Sequence, residues 1–313
     1  MLSLQPPVEP SQAAEGAQGG FNAGETIMEH VSNTSVDHPV IHLPRIFGID
    51  MSVTKHVLML WIVAALLLFV ITWIVRRFIG QERPIPNRPM SLLEIVIDFV
   101  RDGIVEPNVG HKWSDAWTPL VLTLFIFIFT GNLLGVIPVF DVLELLNSTL
   151  IHASPDSFFS RMLEGGVTVT ANYNVTAALA TIAFFAIIVA GTRAHGFIQH
   201  WKNLVPSGMP VYVYPILVPI EIMGMFVRPF ALTMRLAGNM VGGHIAILAL
   251  LSLVFIFTQL FGHALAGIGI GMVMSLPIGV GLTALELIVI LVQAYVFALL
   301  TAVFIGMAIH AHH

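Results

Sequence analysis

Hydrophobic positions along this chain gather into long unbroken runs, not into the short alternating stretches of a soluble sheet. Residues 57–75 form 19 positions without Asp, Glu, Lys or Arg, closed by Arg76 and Arg77. Residues 117–140 and 171–192 are further such runs of 24 and 22 positions. About 20 apolar residues make a helix that crosses a hydrocarbon core, so each run predicts a span. After Arg235 the one remaining charged residue of these four types is Glu286. This last third divides into a long helix at 213–261, a Gly-rich connection, GHALAGIGIG, and a final helix at 277–309, giving five spans. The first of that pair would be about 70 Å long, more than twice a ~30 Å core, so it must tilt or bend. Pro215, Pro219 and Pro229 offer bending points.

Two segments break the pattern. Residues 91–106, SLLEIVIDFVRDGIVE, intersperse Leu92, Leu93, Ile95, Val96, Phe99 and Val100 with charges at helical spacing, which predicts an amphipathic helix lying on the membrane. Residues 1–50 are rich in Pro, Gly, Ser, Ala and acidic positions and lack periodicity. That composition predicts a largely disordered polar tail ahead of a membrane domain at 51–313. It lacks the basic start and apolar core of a cleavable signal peptide.

Composition sharpens this reading. Of 313 residues 57% are hydrophobic and 10% charged, against about 25% charged in soluble domains, which excludes a water-soluble enzyme. The absence of cysteine excludes disulfide frameworks and thiol chemistry. A net charge of -5 leaves no basic footprint for nucleic acid. Six Lys and Arg lie from Arg76 to Lys112, two at Arg193 and Lys202, and one, Arg161, in the loop at 141–164. Basic loops face the cytoplasm, so the expected topology puts the N-terminus outside and the C-terminus inside.

Charges inside spans are costly, by about 2.5–3.5 kcal/mol on insertion scales, and each one asks for a reason. Glu221, Arg228 and Arg235 are spaced by seven and fall within about 40° of one helix face. Asn239 extends that stripe, whereas His244, nine residues beyond Arg235, points nearly the opposite way. On the final helix Glu286 and Gln293, also seven apart, make a second polar stripe. Two such stripes on adjacent helices suit a water path or a proton relay. His and Glu can give and take protons, while Arg stays a fixed charge.

The stretches MRLAGNMVGGH at 234–244, LELIVILVQAYVF at 285–297 and WTPLVLTLFIFIFTGNLLGVIP at 117–138 resemble the a subunit of the membrane sector of F-type ATP synthases. The resemblance runs from Trp117 to the end; the first 50 residues have no evident counterpart. It implies an all-α, five-span stator subunit with partners in a ring of c subunits, b-type peripheral stalk subunits and the remaining synthase subunits, in a bacterial inner membrane. By the same resemblance Arg235 is the essential arginine that faces a ring carboxylate and separates two aqueous half-channels. Asn239 and Gln293 match polar positions near it, Glu221 a carboxylate of the cytoplasmic half-channel, and Arg228 a basic position. Asn172 and Asn174, in TANYNVT, resemble residues of the outer half-channel. His244 and Glu286 depart from the pattern, since other members place glutamate on the penultimate helix and histidine on the last.

Bland roles stand beside these. Arg228, next to Pro229, fits a snorkelling side chain as well as a functional one, and Asn132, Asn172, Asn174 and Gln293 also fit interhelical hydrogen-bond glue. GIGIG at 267–271 lacks the spacing and the strand of a nucleotide fingerprint and reads as a membrane turn. No P-loop, metal site or cofactor site is legible, so the chain alone is expected to catalyse nothing. The competing function is a self-contained proton-coupled transporter, which predicts an internal repeat that is not evident.

Overall fold

The computed structural model describes residues 54–80, 87–137, 147, 168–202, 213–261 and 264–310. The polar tail at 1–50, almost all of the loop at 141–164 and residues 311–313 lie outside the described residues. Within them the helices are α1 (Lys55–Ile79), α2 (Arg88–Val100), α3 (Glu106–Val109), α4 (His111–Val136), α5 (Tyr173–His195), α6 (Phe197–Lys202), α7 (Tyr214–Phe261) and α8 (Ala264–Ile309). No strand occurs among the described residues. Five helices are long and apolar enough to cross a membrane, over His56–Ile79, His111–Val136, Tyr173–His195, Tyr214–Leu250 and Pro277–Ile309. The chain is an all-α membrane protein.

Two boundaries differ from the hydropathy pattern. α4 begins at His111, ahead of the uncharged run, because Lys112 and Asp115 lie near its start, where their side chains are exposed. From Ala264 on, the Gly-rich run expected as a connection is helical instead, as the first part of α8. Glycine breaks helices in water by leaving the backbone free to hydrate, but in hydrocarbon an unpaired peptide group costs several kcal/mol and the ladder persists. The amphipathic segment also runs further than expected, since α2 continues through a π-helical stretch, Arg101–Val105, into α3. Its exposed apolar side carries Leu92, Ile95 and Phe99, while Val100, Ile104, Val105 and Val109 are buried.

The core sits where α8 packs on α4 and α5. Ile290, Ala294, Phe297, Ala298, Ala302 and Ile305 line the buried side of α8 at spacings of three and four, and Ala180, Ala183, Ala186 and Ala190 do so on α5. Small residues let helix backbones approach closely where lipid supplies no hydrophobic drive. At Gly306 a Cβ would overlap the Asn108 carbonyl oxygen of α3. Gly110 and Gly196, at φ 84° and 85°, make the left-handed joints before α4 and after α5. Past Gly196, α6 folds back so that buried His200 fills the place a side chain at Gly191 would take. Burial pushes the His200 pKa below its usual value, and nearby His195 adds to the shift.

Candidate functional site

α7 carries Leu232, Leu236 and Met240 on its buried side and Arg235 and Asn239, one turn apart, on its exposed side. The 3.6-residue period puts the polar pair on one face because the apolar residues between them are claimed by the bundle. No carboxylate among the described residues forms an ion pair with Arg235. Glu221 and Arg228, four turns and two turns earlier on the same stripe, are half-buried. The guanidinium of Arg228 lies 5.1 Å from the ring centroid of Phe304 on α8, a cation–π contact. The stripe is therefore partly covered by α8 at Arg228 and open at Arg235.

Glu286 on α8 is 5% exposed, and neither carboxylate oxygen has a hydrogen-bond partner among the described residues. Gly243 of α7 lies against it, and a Cβ there would stand 3.0 Å from Oε1. Asn239, Gly243, Glu286 and Gln293 border a cavity of about 360 Å³ between α7 and α8, with Ile247 and Leu285 among its apolar walls. A water occupies ~30 Å³ in the liquid, so this space has room for several.

His244 is half-buried and turned from the Arg235 face, its Nε2 3.0 Å from the Thr168 hydroxyl. Glu286 and His244 come from adjacent helices, yet no direct hydrogen bond joins them. Asn172 caps α5, its Oδ1 accepting the Asn174 backbone N–H at 2.8 Å. Asn174 itself is exposed. Asn132, buried in α4, accepts the Thr170 hydroxyl hydrogen bond.

The structure thus gathers Asn239, Glu286 and Gln293 around one cavity, with Arg235 one turn away. His244 is adjacent in sequence to the Gly243 wall but directed elsewhere, while Asn172 and Asn174 lie at the head of α5. Two participants carry little sequence signal. Gly243 is marked by the doublet before His244, and Thr168 by its alternation with Thr170. No cluster of three or more His, Cys, Asp or Glu arranged to hold a metal occurs among the described residues. The arrangement places a buried carboxyl group beside a cavity of water-holding size and, one turn beyond, a positive charge without an ion pair among the described residues.

The family model described as ATP synthase A chain matches residues 57–306. ATP synthase subunit a 2 of Chlorobium luteolum is 33% identical, over 98% of this chain and 82% of its own length. ATP synthase subunit a of Chloroherpeton thalassium is 34% identical, over 88% and 72%. That of Myxococcus xanthus is 37% identical, over 85% and 75%. The Chlorobium match takes in most of the first fifty residues, for which the sequence motifs suggest no counterpart.

Proposed function

Because this chain belongs to the ATP synthase A chain family, we propose that it is the stationary proton-conducting subunit of that enzyme's membrane sector. In this reading the open face of α7 and α8 meets a ring of c subunits, and b-type stalk subunits hold the chain still. The N-terminus lies outside and the C-terminus inside, as the distribution of Lys and Arg favours.

Protons enter from outside past Asn172 and Asn174, reach His244 and Glu286, and are handed to a ring carboxylate. They leave on the Glu221 side after nearly one rotation. Glu286 and His244 exchange protons, and the cavity shared by Asn239, Glu286 and Gln293 gives the water that carries them. Arg235 keeps its proton at any physiological pH. It repels protons that would leak between the two paths, and it attracts an ionised ring carboxylate as that passes. Each charge crossing the membrane releases about 2.3 kcal/mol per 100 mV.

The observation that carries this reading is Arg235, exposed and without an ion pair among the described residues, within a helix apolar enough to cross a membrane. A charge so placed is available to a neighbouring subunit. The test is ATP-driven proton pumping in inverted vesicles holding the assembled complex. Arg235→Ala is expected to abolish pumping at unchanged subunit content, and persistent pumping would overturn the reading.

A further inference from the structure

Between α4 and α7 runs a short buried segment, Thr168 followed by the 3-10 turn Val169–Ala171, that no proton path described above uses. Thr168, Val169 and Thr170 are each fully buried. The segment is fixed to α4 at three neighbouring positions. Gly135 leaves room for Thr168, whose Cα and side chain would overlap any Cβ there. Gly131 lets Val169 in, since a Cβ would stand 3.3 Å from that of Val169. Asn132 takes the Thr170 hydroxyl hydrogen bond. The Ala171 backbone N–H closes the turn on the Thr168 carbonyl at 3.1 Å. With its backbone so held, Thr168 turns its hydroxyl to the α7 side and meets His244 Nε2 at 3.0 Å.

We propose that Thr168, seated in the Gly131–Gly135 notch of α4, is a positioning residue that holds the His244 imidazole in its proton-passing orientation. This rests on His244 belonging to the proton path. The chemistry of the partner supports the assignment. A carbonyl accepts only and an ammonium donates only, whereas a hydroxyl does both. It donates to a bare Nε2 and accepts from a protonated one, so the ring keeps one partner through every protonation state. A residue that must gain and lose a proton without swinging away needs a contact of that kind. The notch supplies the rigidity, because a strap pinned by two glycine contacts and an amide does not follow the ring.

The experiment is ATP-driven proton pumping by the whole complex in inverted vesicles, at matched content of this subunit. Thr168→Val, which keeps shape and removes the hydroxyl, is expected to lower pumping about two- to tenfold, the worth of one hydrogen bond. Thr168→Ser is expected to restore it. Gly135→Ala, which displaces the strap, is expected to give a similar fall and to add little when combined with Thr168→Val. Thr168→Ala gives the same reading if the valine variant does not assemble. His244→Ala separates the two layers of the argument. If it stops pumping while Thr168→Val pumps as wild type, or if Ser and Val fall alike, the positioning role is overturned and the histidine's place stands. If His244→Ala pumps normally, the underlying proton path is what fails.

Discussion

In the bundle interior Thr118 donates to the Ser114 carbonyl at 2.7 Å, Thr301 to the Phe297 carbonyl at 2.8 Å, and Thr170 to Asn132. On the α7–α8 face Arg235 has no counter-ion and the Glu286 carboxylate no donor among the described residues. Both regions lie in helices of membrane-spanning length. α5 and α8 each bury 44% of their most apolar window and the spanning part of α7 only 11%, so Arg235 stands on a helix little committed to the bundle, while Glu286 is buried on one that is well committed to it. Interior hydroxyls are neutral and find acceptors inside the bundle, in their own helices for Thr118 and Thr301 and across to α4 for Thr170, which costs the fold little. The face instead carries two ionisable groups, Arg235 without an ion pair and Glu286 without a hydrogen bond among the described residues. A neutral hydroxyl is thus satisfied inside the bundle at little cost, whereas an ionisable group left on the α7–α8 face asks for a role outside the packing.

After the complete loss expected of Arg235→Ala, the strongest way to sharpen this contrast is to neutralise Glu286. Glu286→Gln should lower pumping on the order of a hundredfold, the usual worth of a placed acid or base. Glu286→Leu should do the same while the purified complex melts no lower than wild type, since a buried unpartnered carboxylate stabilises nothing. A marked fall in melting temperature would show that the acid is structural. The interior predicts the reverse. Gly306→Ala, against the Asn108 carbonyl, should cost about 1–3 kcal/mol by overpacking yet leave pumping per assembled complex unchanged. Thermal melting and pumping measured on one preparation check both halves.

The smallest effect concerns His200, on the basic side of the bundle. Its lowered pKa means that the folded protein holds the ring neutral while the unfolded chain protonates it near the usual value of 6.5. Stability from this group is therefore complete above about pH 6.5 and lost as pH falls through the lower folded value. Thermal unfolding followed from above to below that pH should show the decline, and His200→Gln should flatten it. An unchanged slope in the variant would place the titration elsewhere.

The spans were legible because hydrocarbon demands unbroken apolar runs, and 100° per residue sufficed to set Arg235 and Asn239 on one face and turn His244 from it. The sequence misled at GIGIG because glycine's breaking tendency belongs to water, while the helix ladder in lipid has no alternative partner. Two features of the site had no local signature. The Thr168 to His244 contact joins residues 76 apart, and periodicity speaks only within a helix. The separation of His244 from Glu286 depends on the register of α7 against α8, which two independent polar stripes do not set. Nor did spacing reveal that Asn172 would close the head of α5, although Asn is a common residue for that position.

The glycines beside Arg235 give the face an unusual relief. Gly238 and Gly242 are exposed, and a Cβ on either would meet nothing in this chain. Ala231, one turn before the arginine, is exposed as well. Small residues therefore leave a shallow place one turn to either side of the guanidinium. A smooth surface drawn past α7 would touch that charge before it touched the helix. Along that line a sliding surface meets the charge with only small residues one turn to either side of it.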